Sequence, residues 1–266
     1  FDVGFDGADS HSIMYQNANN SVRVTDEFMT AVEADVDWDL KAVTDGSVLD
    51  TIGARDLFRQ MSEAAWECAD PGIQFDTTIN RWHTASNTGR ITASNPCSEY
   101  VHLDDSACNL ASLNLLAFLG SSDHDTGAIG GFDVEGFCHA VEVVFTAQEI
   151  LVGNADYPTE AIGETTRAFR QLGLGYANLG ALLMALGLPY DSDEGRSVAA
   201  AITSLMTGHA YRTSARMADR MGPFEGFEHN REPMLNVLEM HREAAELLDD
   251  AVAPELVTAG RTAWFE

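Results

Sequence analysis

The chain has 266 residues, 45% of them hydrophobic, which is enough for a sizeable core and excludes a disordered tail. Its 42 acidic residues outnumber 15 basic ones and give a formal net charge of -27, with Lys41 as the only lysine. This charge repels nucleic-acid backbones and argues against a polynucleotide partner. Because the carboxylates are spread over the whole chain, we favour a halophilic protein, solvated for a salt-rich cytoplasm, over an acidic interaction tail.

The sequence contains no run of about 18 apolar residues and no basic stretch that leads into an apolar one. We therefore expect neither a membrane-spanning helix nor a secretion signal, and we predict a cytoplasmic protein. The first residue, Phe1, is not a methionine, and the final residues, Thr262 to Glu266, stop within a helical pattern. Both ends are therefore expected to be cut.

The chain contains four cysteines: Cys68, Cys97, Cys108 and Cys138. They show no C-x-x-C spacing, which disfavours a cysteine zinc site and a thioredoxin-type motif. Free thiols are expected in the cytosol, where any disulfide would be transient and chemical. The eight histidines include no H-E-x-x-H pair, and no metal ligand is predicted.

The first predicted elements are a strand and a helix. The alternating V-R-V that ends at Val24 indicates a strand, and Thr25 is typical of a helix N-cap. Asp26 and Glu27 favour the first turn of that helix, because the helix dipole attracts acids there. Its apolar stripe consists of Phe28, Met29 and Val32.

A hairpin and a second helix are predicted next. Trp38–Val43 and Ser47–Ile52 flank an Asp-Gly turn. The helix runs from about Ala54 to Ala69 and stops at Asp-Pro-Gly. One face of this helix carries the stripe Leu57, Met61, Ala64, Ala65 and Cys68.

The sequence pattern predicts loops and short strands between Ile73 and Leu119 and a mostly helical second half from Asp133 onward. The predicted helices are Val134–Val152, Glu164–Leu186, Glu194–Met221 and Glu232–Leu248. We find no linker that would mark a second domain. The pattern alone therefore predicts one mixed α and β domain with a helical second half.

The segment from Ser94 to Tyr100 reads S-N-P-C-S-E-Y. Pro96 favours an extended chain or a loop that borders a strand. In an extended chain, Asn95, Cys97 and Glu99 share one face at intervals of about 6.6 Å, which suits a small polyhydroxylated substrate. The alternative is that Cys97 is a buried small hydrophobe, with Asn95 in a turn and Glu99 in solvent.

This segment and the following H-L-D-D-S-A-C-N-L-A-S-L-N-L resemble the active-site region of ribonucleotide reductases of the adenosylcobalamin-dependent class. Three further segments resemble that family in the same order: Gln16 to Met29, Trp66 to His83, and Arg167 to Gly180. The resemblance covers essentially the whole chain. It implies an α/β fold in which residues 1–266 form part of a ten-stranded α/β barrel of the ribonucleotide reductase and glycyl-radical type, with a helix-rich second half.

The resemblance also implies residue roles. Cys97 would carry the thiyl radical that abstracts the 3'-hydrogen of the ribose, and Glu99 would be the base on the 3'-hydroxyl. Asn95 would hold the sugar hydroxyls, and Ser94 would line the substrate site with it. Cys108 would be one of two thiols that reduce the 2'-carbon and finish as a disulfide. The cofactor implied is adenosylcobalamin (vitamin B12), with its contacts unassigned.

The implied enzyme is a ribonucleoside-diphosphate reductase (EC 1.17.4.1) that makes deoxyribonucleotides for DNA synthesis. The full-length homodimer would bind allosteric nucleotides in upstream parts and take electrons from a thioredoxin-type reductant. The resemblance implies that its second reducing cysteine lies upstream of the matching region. Cys68 and Cys138 fit amphipathic helices as structural thiols. The fragment alone is expected to be inactive, and its acidity indicates a halophilic archaeon. The alternative is a non-catalytic acidic binding domain with a thiol–disulfide switch between Cys97 and Cys108.

Two weaker signals remain. The glycines from Gly173 to Gly180 superficially resemble a dinucleotide loop, but the third has the wrong offset and no strand is predicted before them. Close packing of helices is the favoured explanation. Arg167 and Arg170 could meet phosphate, although a salt bridge to one of the many acids is the commoner outcome.

Overall fold

The structure is a computed structural model that describes residues 18–120, 131–249 and 253–265. Gln16, at which the first of the segments that resemble the family begins, lies outside the described residues. The chain divides into two compact units. The first unit comprises Phe1–Trp82 and Ala93–Val101, and the second comprises His83–Thr92 and His102–Glu266. The assignment of 1–266 to one partial barrel domain stays a prediction.

The first unit begins with the predicted strand and helix. Strand β1 (Ser21–Val24) leads into helix α1 (Asp26–Ala34). The Thr25 hydroxyl accepts a hydrogen bond from the Phe28 amide at 3.3 Å, so the predicted N-cap is confirmed. Phe28 is only 3% exposed and packs edge-on against Trp38, which anchors this helix in the core of the unit.

The predicted hairpin is confirmed as β2 (Asp37–Lys41) paired antiparallel with β3 (Val48–Gly53). Helix α2 (Ala54–Cys68) follows and ends at a left-handed residue, as expected near its predicted stop. One detail of the prediction is wrong: Cys68 is exposed and does not continue the core stripe. It is the last residue of the helix, and its thiol donates to the Ala64 carbonyl at 3.2 Å.

Strand β4 (Gly72–Phe75) runs parallel to β1, and helix α3 (Asp76–Arg81) follows it directly. The register places Arg23 opposite Gln74. These two strands therefore bring a cation and an amide together in the interior of the first unit.

The second unit contains a parallel strand pair, β5 (Asn109–Asn114) and β6 (Leu172–Ala177), together with several helices. A short 3-10 helix, Leu115–Phe118, follows β5. The remaining elements are α4 (Val134–Asn154), α5 (Glu160–Phe169), β6 (Leu172–Ala177), α6 (Leu179–Ala185), α7 (Asp193–Met221), α8 (Arg231–Glu246) and α9 (Pro254–Thr262). Helices α4, α7 and α8 confirm three predicted helices. Helix α9 reaches Thr262, where a helical pattern was predicted, but its bounds were not predicted.

The predicted helix Glu164–Leu186 is wrong, because this segment is a helix, a strand and a second helix. Helix α5 stops where Arg170 takes a left-handed backbone conformation at φ 53°. The next segment is strand β6, which pairs with β5 along the whole length of both strands. Gly173 and Gly175 lie in this strand. Gly173 therefore serves close packing of β6 against the residues beside β5, and neither Gly173 nor Gly175 belongs to a dinucleotide loop or a helix.

The core of the second unit lies between helices α4, α6, α7 and α9 and the end of β5. Its fully buried side chains include Leu115, Phe137, Val141, Ile202 and Val257. Each such side chain stabilises the fold by about 1.5–3 kcal/mol relative to exposure. Helix α4 is long and apolar enough to cross a membrane by length and composition alone. One side of this helix supplies part of the core just described.

The strands in the described part of the chain form three two-stranded sheets, of which two are parallel. No closed barrel is formed by these residues. The predicted mixed α and β fold with a helix-rich second half is confirmed. The ten-stranded partial barrel stays a prediction from the resemblance.

Candidate active site

The predicted site segment forms a braced turn in the first unit. The Ser98 amide donates to the Asn95 carbonyl at 3.0 Å, which closes a turn over Pro96 and Cys97. The Asn95 amide donates to the Tyr100 carbonyl at 3.3 Å, and the Tyr100 amide donates to Asn95 Oδ1 at 2.9 Å. Asn95 therefore closes the turn through both its backbone and its side chain. We call residues 95–98 the cysteine turn.

The turn changes how the predicted site residues are arranged. Strand-like alternation of Asn95, Cys97 and Glu99 is wrong, because Ser98 takes a left-handed backbone at φ 65° and the segment is not extended. A buried Cys97 is wrong too, because its side chain is exposed, as is that of Glu99. The structure thus places an exposed thiol in the turn and a carboxylate two residues later, with the Asn95 amide as the turn's brace.

A chain of hydrogen-bonded polar groups, of which Gln74 and Asp76 are buried, leads to the cysteine turn. Gln74, only 5% exposed, donates from Nε2 to Ser94 Oγ at 2.6 Å and to Ser98 Oγ at 3.3 Å. Its Oε1 accepts from Arg23 Nη1 at 2.8 Å. Arg23 also donates from Nε and Nη2 to Asp76 Oδ1, at 2.9 and 2.7 Å. Sequence reasoning missed this chain, although a charged residue in the apolar V-R-V strand was a signal that it needed a buried partner.

Cys108 belongs to the second unit and directly precedes β5. It is half-buried, and its thiol lies 3.5 Å from the Asn109 carbonyl. A Cβ atom at Gly173 would come within 2.8 Å of Cys108 Sγ and 2.5 Å of Leu110 Cδ2. The thiol therefore packs directly against the backbone of β6, which only glycine permits.

The strand ends beside Cys108 are held by one amide. Gln148 on α4, 3% exposed, donates from Nε2 to the Asn109 carbonyl at 2.9 Å and to the Gly173 carbonyl at 2.7 Å. One side chain thus bridges the paired strands at the thiol. Sequence reasoning missed Gln148, because its partners lie far away in the chain.

Two histidines pack together in the interior of the second unit. The rings of His83 and His102 meet edge-on, with centroids 5.4 Å apart, and His102 Nδ1 lies 2.5 Å from Gln171 Nε2. Burial, and secondarily the neighbouring His83, lower the pKa of His102 from 6.5 to about 4. Burial also lowers the pKa of His83, against an opposing hydrogen bond to the Gly89 carbonyl. Both rings are therefore neutral at pH 7, and sequence reasoning assigned them no role.

The neutral His102 predicts a pH-dependent stability. The unfolded chain binds a proton at this residue below pH 6.5 while the folded chain does not until about pH 4, so stability is lost as pH falls through that window. His102→Gln is expected to remove about 2 kcal/mol of the stability lost between pH 7 and pH 5, measured by urea unfolding. The same substitution at exposed His139 is the control. Equal pH slopes for both variants would contradict the prediction.

The remaining predicted residues have structural partners. Arg170 Nε lies 2.6 Å from Glu149 Oε1, which confirms the expected salt bridge. Arg167 lies over the Tyr157 ring, 5.2 Å from its centroid. Cys138 packs against the core of the second unit, and burial raises the pKa of its thiol. These contacts support the structural role predicted for Cys138.

Comparison with known proteins places the chain in a family. The family model described as "Ribonucleotide reductase, barrel domain" matches residues 7–255. The chain is 54% identical over 265 residues to a vitamin B12-dependent ribonucleotide reductase of Streptomyces clavuligerus, covering 98% of this chain and 27% of that protein. It is 47% identical over 266 residues to a protein of the same name from Rhodopirellula baltica, covering 99% of this chain and 25% of that protein.

The chain therefore belongs to the ribonucleotide reductase barrel-domain family. A relative from Mycobacterium tuberculosis, named a vitamin B12-dependent ribonucleoside-diphosphate reductase, is 35% identical over 213 residues, which are 80% of this chain and 30% of that protein. The chain spans about a quarter of the length of the curated relatives it matches.

Proposed function

We propose that this chain is the central catalytic segment of an adenosylcobalamin-dependent ribonucleotide reductase. In this proposal the full-length enzyme converts ribonucleotides to 2'-deoxyribonucleotides for DNA synthesis. The observation that carries the proposal is an exposed thiol, Cys97, in a chain of this family. The thiol is held in a turn that Asn95 closes through its backbone and its side chain. A thiol that reacts through a radical needs access to its partners and a fixed position, and this turn supplies both.

Each predicted site residue has a defined task in the proposal. Cys97, once oxidised by loss of its hydrogen atom, takes the 3'-hydrogen of the ribose, while Glu99 accepts the proton of the 3'-hydroxyl. The 2'-hydroxyl leaves as water. Cys108 and a second thiol supply two electrons to the 2'-carbon and end as a disulfide, and the 3'-hydrogen then returns from Cys97. The sum is ribonucleotide plus dithiol to deoxyribonucleotide, disulfide and water.

The structure supports the orienting role of Asn95 and its neighbour Ser94. The Asn95 carbonyl oxygens of main chain and side chain are both used to close the turn, whereas its Nδ2 group donates to no other described residue. This amide donor is therefore held in a fixed position and remains available for sugar hydroxyls. Ser94 lies beside it and donates to the Asn95 carbonyl at 2.7 Å.

The proposed cofactor fits the chemistry of the turn. When bound, adenosylcobalamin supplies a carbon-centred radical through homolysis of its cobalt–carbon bond. An exposed thiol can give a hydrogen atom to such a radical, and Cys97 is exposed. We assign no described residue to holding the cofactor itself.

The proposal extends to the partners. The name of the M. tuberculosis relative favours a ribonucleoside diphosphate as substrate. A thioredoxin-type reductant would regenerate the thiols, allosteric nucleotides would bind in upstream parts of the full-length homodimer, and the enzyme would work in the cytoplasm. The origin in a halophilic archaeon stays a prediction, since the relatives given above are bacterial proteins.

The full-length protein tests the proposal. With a dithiol reductant and ribonucleoside diphosphates, it is expected to form deoxyribonucleotides only when adenosylcobalamin is added. Ribonucleoside triphosphates, assayed in parallel, decide the substrate class. Product without the cofactor, or redox cycling between Cys97 and Cys108 in place of nucleotide reduction, would contradict the proposal and favour the thiol–disulfide switch.

A further inference from the structure

The chain of hydrogen bonds that leads to the cysteine turn runs in one fixed direction. Arg23 donates to Gln74 Oε1, Gln74 Nε2 donates to Ser94 Oγ, and Ser94 in turn donates to the Asn95 carbonyl. Since a guanidinium has no acceptor atoms, the first link can run only in this direction. The Gln74 amide must then present its NH₂ group to the turn. The turn's backbone is therefore tied, through one amide, to strand β4.

The far end of the chain is fixed by an ion pair. The Arg23 and Asp76 side chains are 19% and 12% exposed, and both Nε and Nη2 of the arginine reach the same carboxylate oxygen. A largely buried charge pair of this kind is costly to break, because both groups have given up hydration that their mutual contact replaces. Arg23 and Asp76 lie on β1 and at the start of α3, so the Gln74 amide is held by two rigid elements.

We infer that Gln74 is a positioning residue for Cys97, acting through the two serines on either side of the turn's central residues. The inference rests on the proposed function, in which Cys97 must stay in place through hydrogen transfer in both directions. Gln74 bonds Ser94, just before the turn, and Ser98, its last residue. Its amide thereby limits the motion of the backbone that carries the thiol without contacting the substrate.

Three variants of the full-length protein separate donation from packing. Gln74→Glu keeps the length and the acceptor for Arg23 but cannot donate to the serines. Gln74→Met keeps approximate volume and loses both functions. The matched control is Gln60→Met on the exposed face of α2, which makes the same substitution in the same unit.

Both Gln74 variants are expected to lower kcat about tenfold while KM stays within about twofold, because the turn loosens but substrate groups remain. Amide hydrogen exchange in peptides that cover 95–101 should speed up about tenfold, with peptides from α1 and α2 unchanged. Ser94→Ala should give a similar loss. Combined with Gln74→Met, it should add little, because both act through one chain of hydrogen bonds.

The exchange measurement does not depend on activity. If the unmodified protein makes no deoxyribonucleotide, the proposed function fails, while faster exchange confined to the turn still supports the role of Gln74 in holding it. Unchanged exchange in the turn, faster exchange throughout the first unit, or full kcat with a loosened turn would each overturn the inference. Full kcat and slow exchange in Gln74→Glu would do so as well, because donation would then be dispensable.

Discussion

Full-length protein that carries Cys97→Ser is expected to lose deoxyribonucleotide formation by at least about a thousandfold. Serine matches cysteine closely in shape, so the cysteine turn should form as before. Its O–H bond is much stronger than the S–H bond of a thiol, and a carbon radical cannot readily take its hydrogen atom. The measurement is product formation per enzyme with saturating cofactor, substrate and dithiol.

Cys68→Ser is the matched control for this substitution. Cys68 is an exposed thiol of the same unit, at the end of α2, and its contacts are local carbonyl oxygens. This variant should keep the activity of the unmodified protein. If Cys97→Ser retained more than about a tenth of the activity, Cys97 would not be the radical-bearing thiol.

Gly173→Ala is expected to destabilise the chain by about 1 kcal/mol, because overpacking at this half-buried contact forces the Cys108 thiol to shift, whereas the exposed Leu110 side chain can turn away. The added methyl group would meet Cys108 Sγ at 2.8 Å and Leu110 Cδ2 at 2.5 Å. The Cys108 thiol can yield only by leaving its place against β6. In the full-length enzyme the variant should therefore lose reductase activity even when folded, since Cys108 is the proposed reductant.

Gly175→Ala tests whether this effect belongs to the thiol contact. The two glycines lie in the same strand, but a Cβ at Gly175 would meet only Ser112 Oγ, at an ordinary 3.7 Å. Urea unfolding should therefore show a change below about 0.5 kcal/mol for this variant. Equal losses in the two variants would mean that glycine is needed for the strand as a whole and not for Cys108.

Local signals made much of the fold predictable. The cap at Thr25, the Asp-Gly hairpin and the helical period of α4, α7 and α8 each act within a few residues of sequence. Strand β6 was not predicted, because a short apolar run between two helices has no period long enough to distinguish a strand from a helix. Its partner, β5, lies about sixty residues earlier in the chain. Pairing over that distance cannot be read from the local pattern.

The site was predictable only in part. The motif predicted Cys97 and its neighbours as site residues, but Pro96 left open whether the backbone was extended or turned. The turn is closed by the Tyr100 amide, which donates to the Asn95 side chain. The roles of Gln74 and Gln148 were not predicted, because an isolated glutamine in an apolar segment belongs to no motif. Their roles arise from carbonyl and hydroxyl partners that only the folded chain brings within reach.

The left-handed backbone of Ser98 also limits how this segment can drift during evolution. At φ 65°, glycine fits without steric cost and asparagine fits with little, whereas valine or isoleucine would bring a branched carbon against the neighbouring carbonyl. Divergent members of the lineage should therefore exchange this serine for glycine or asparagine and never for an aliphatic branched residue, even where the rest of the loop varies.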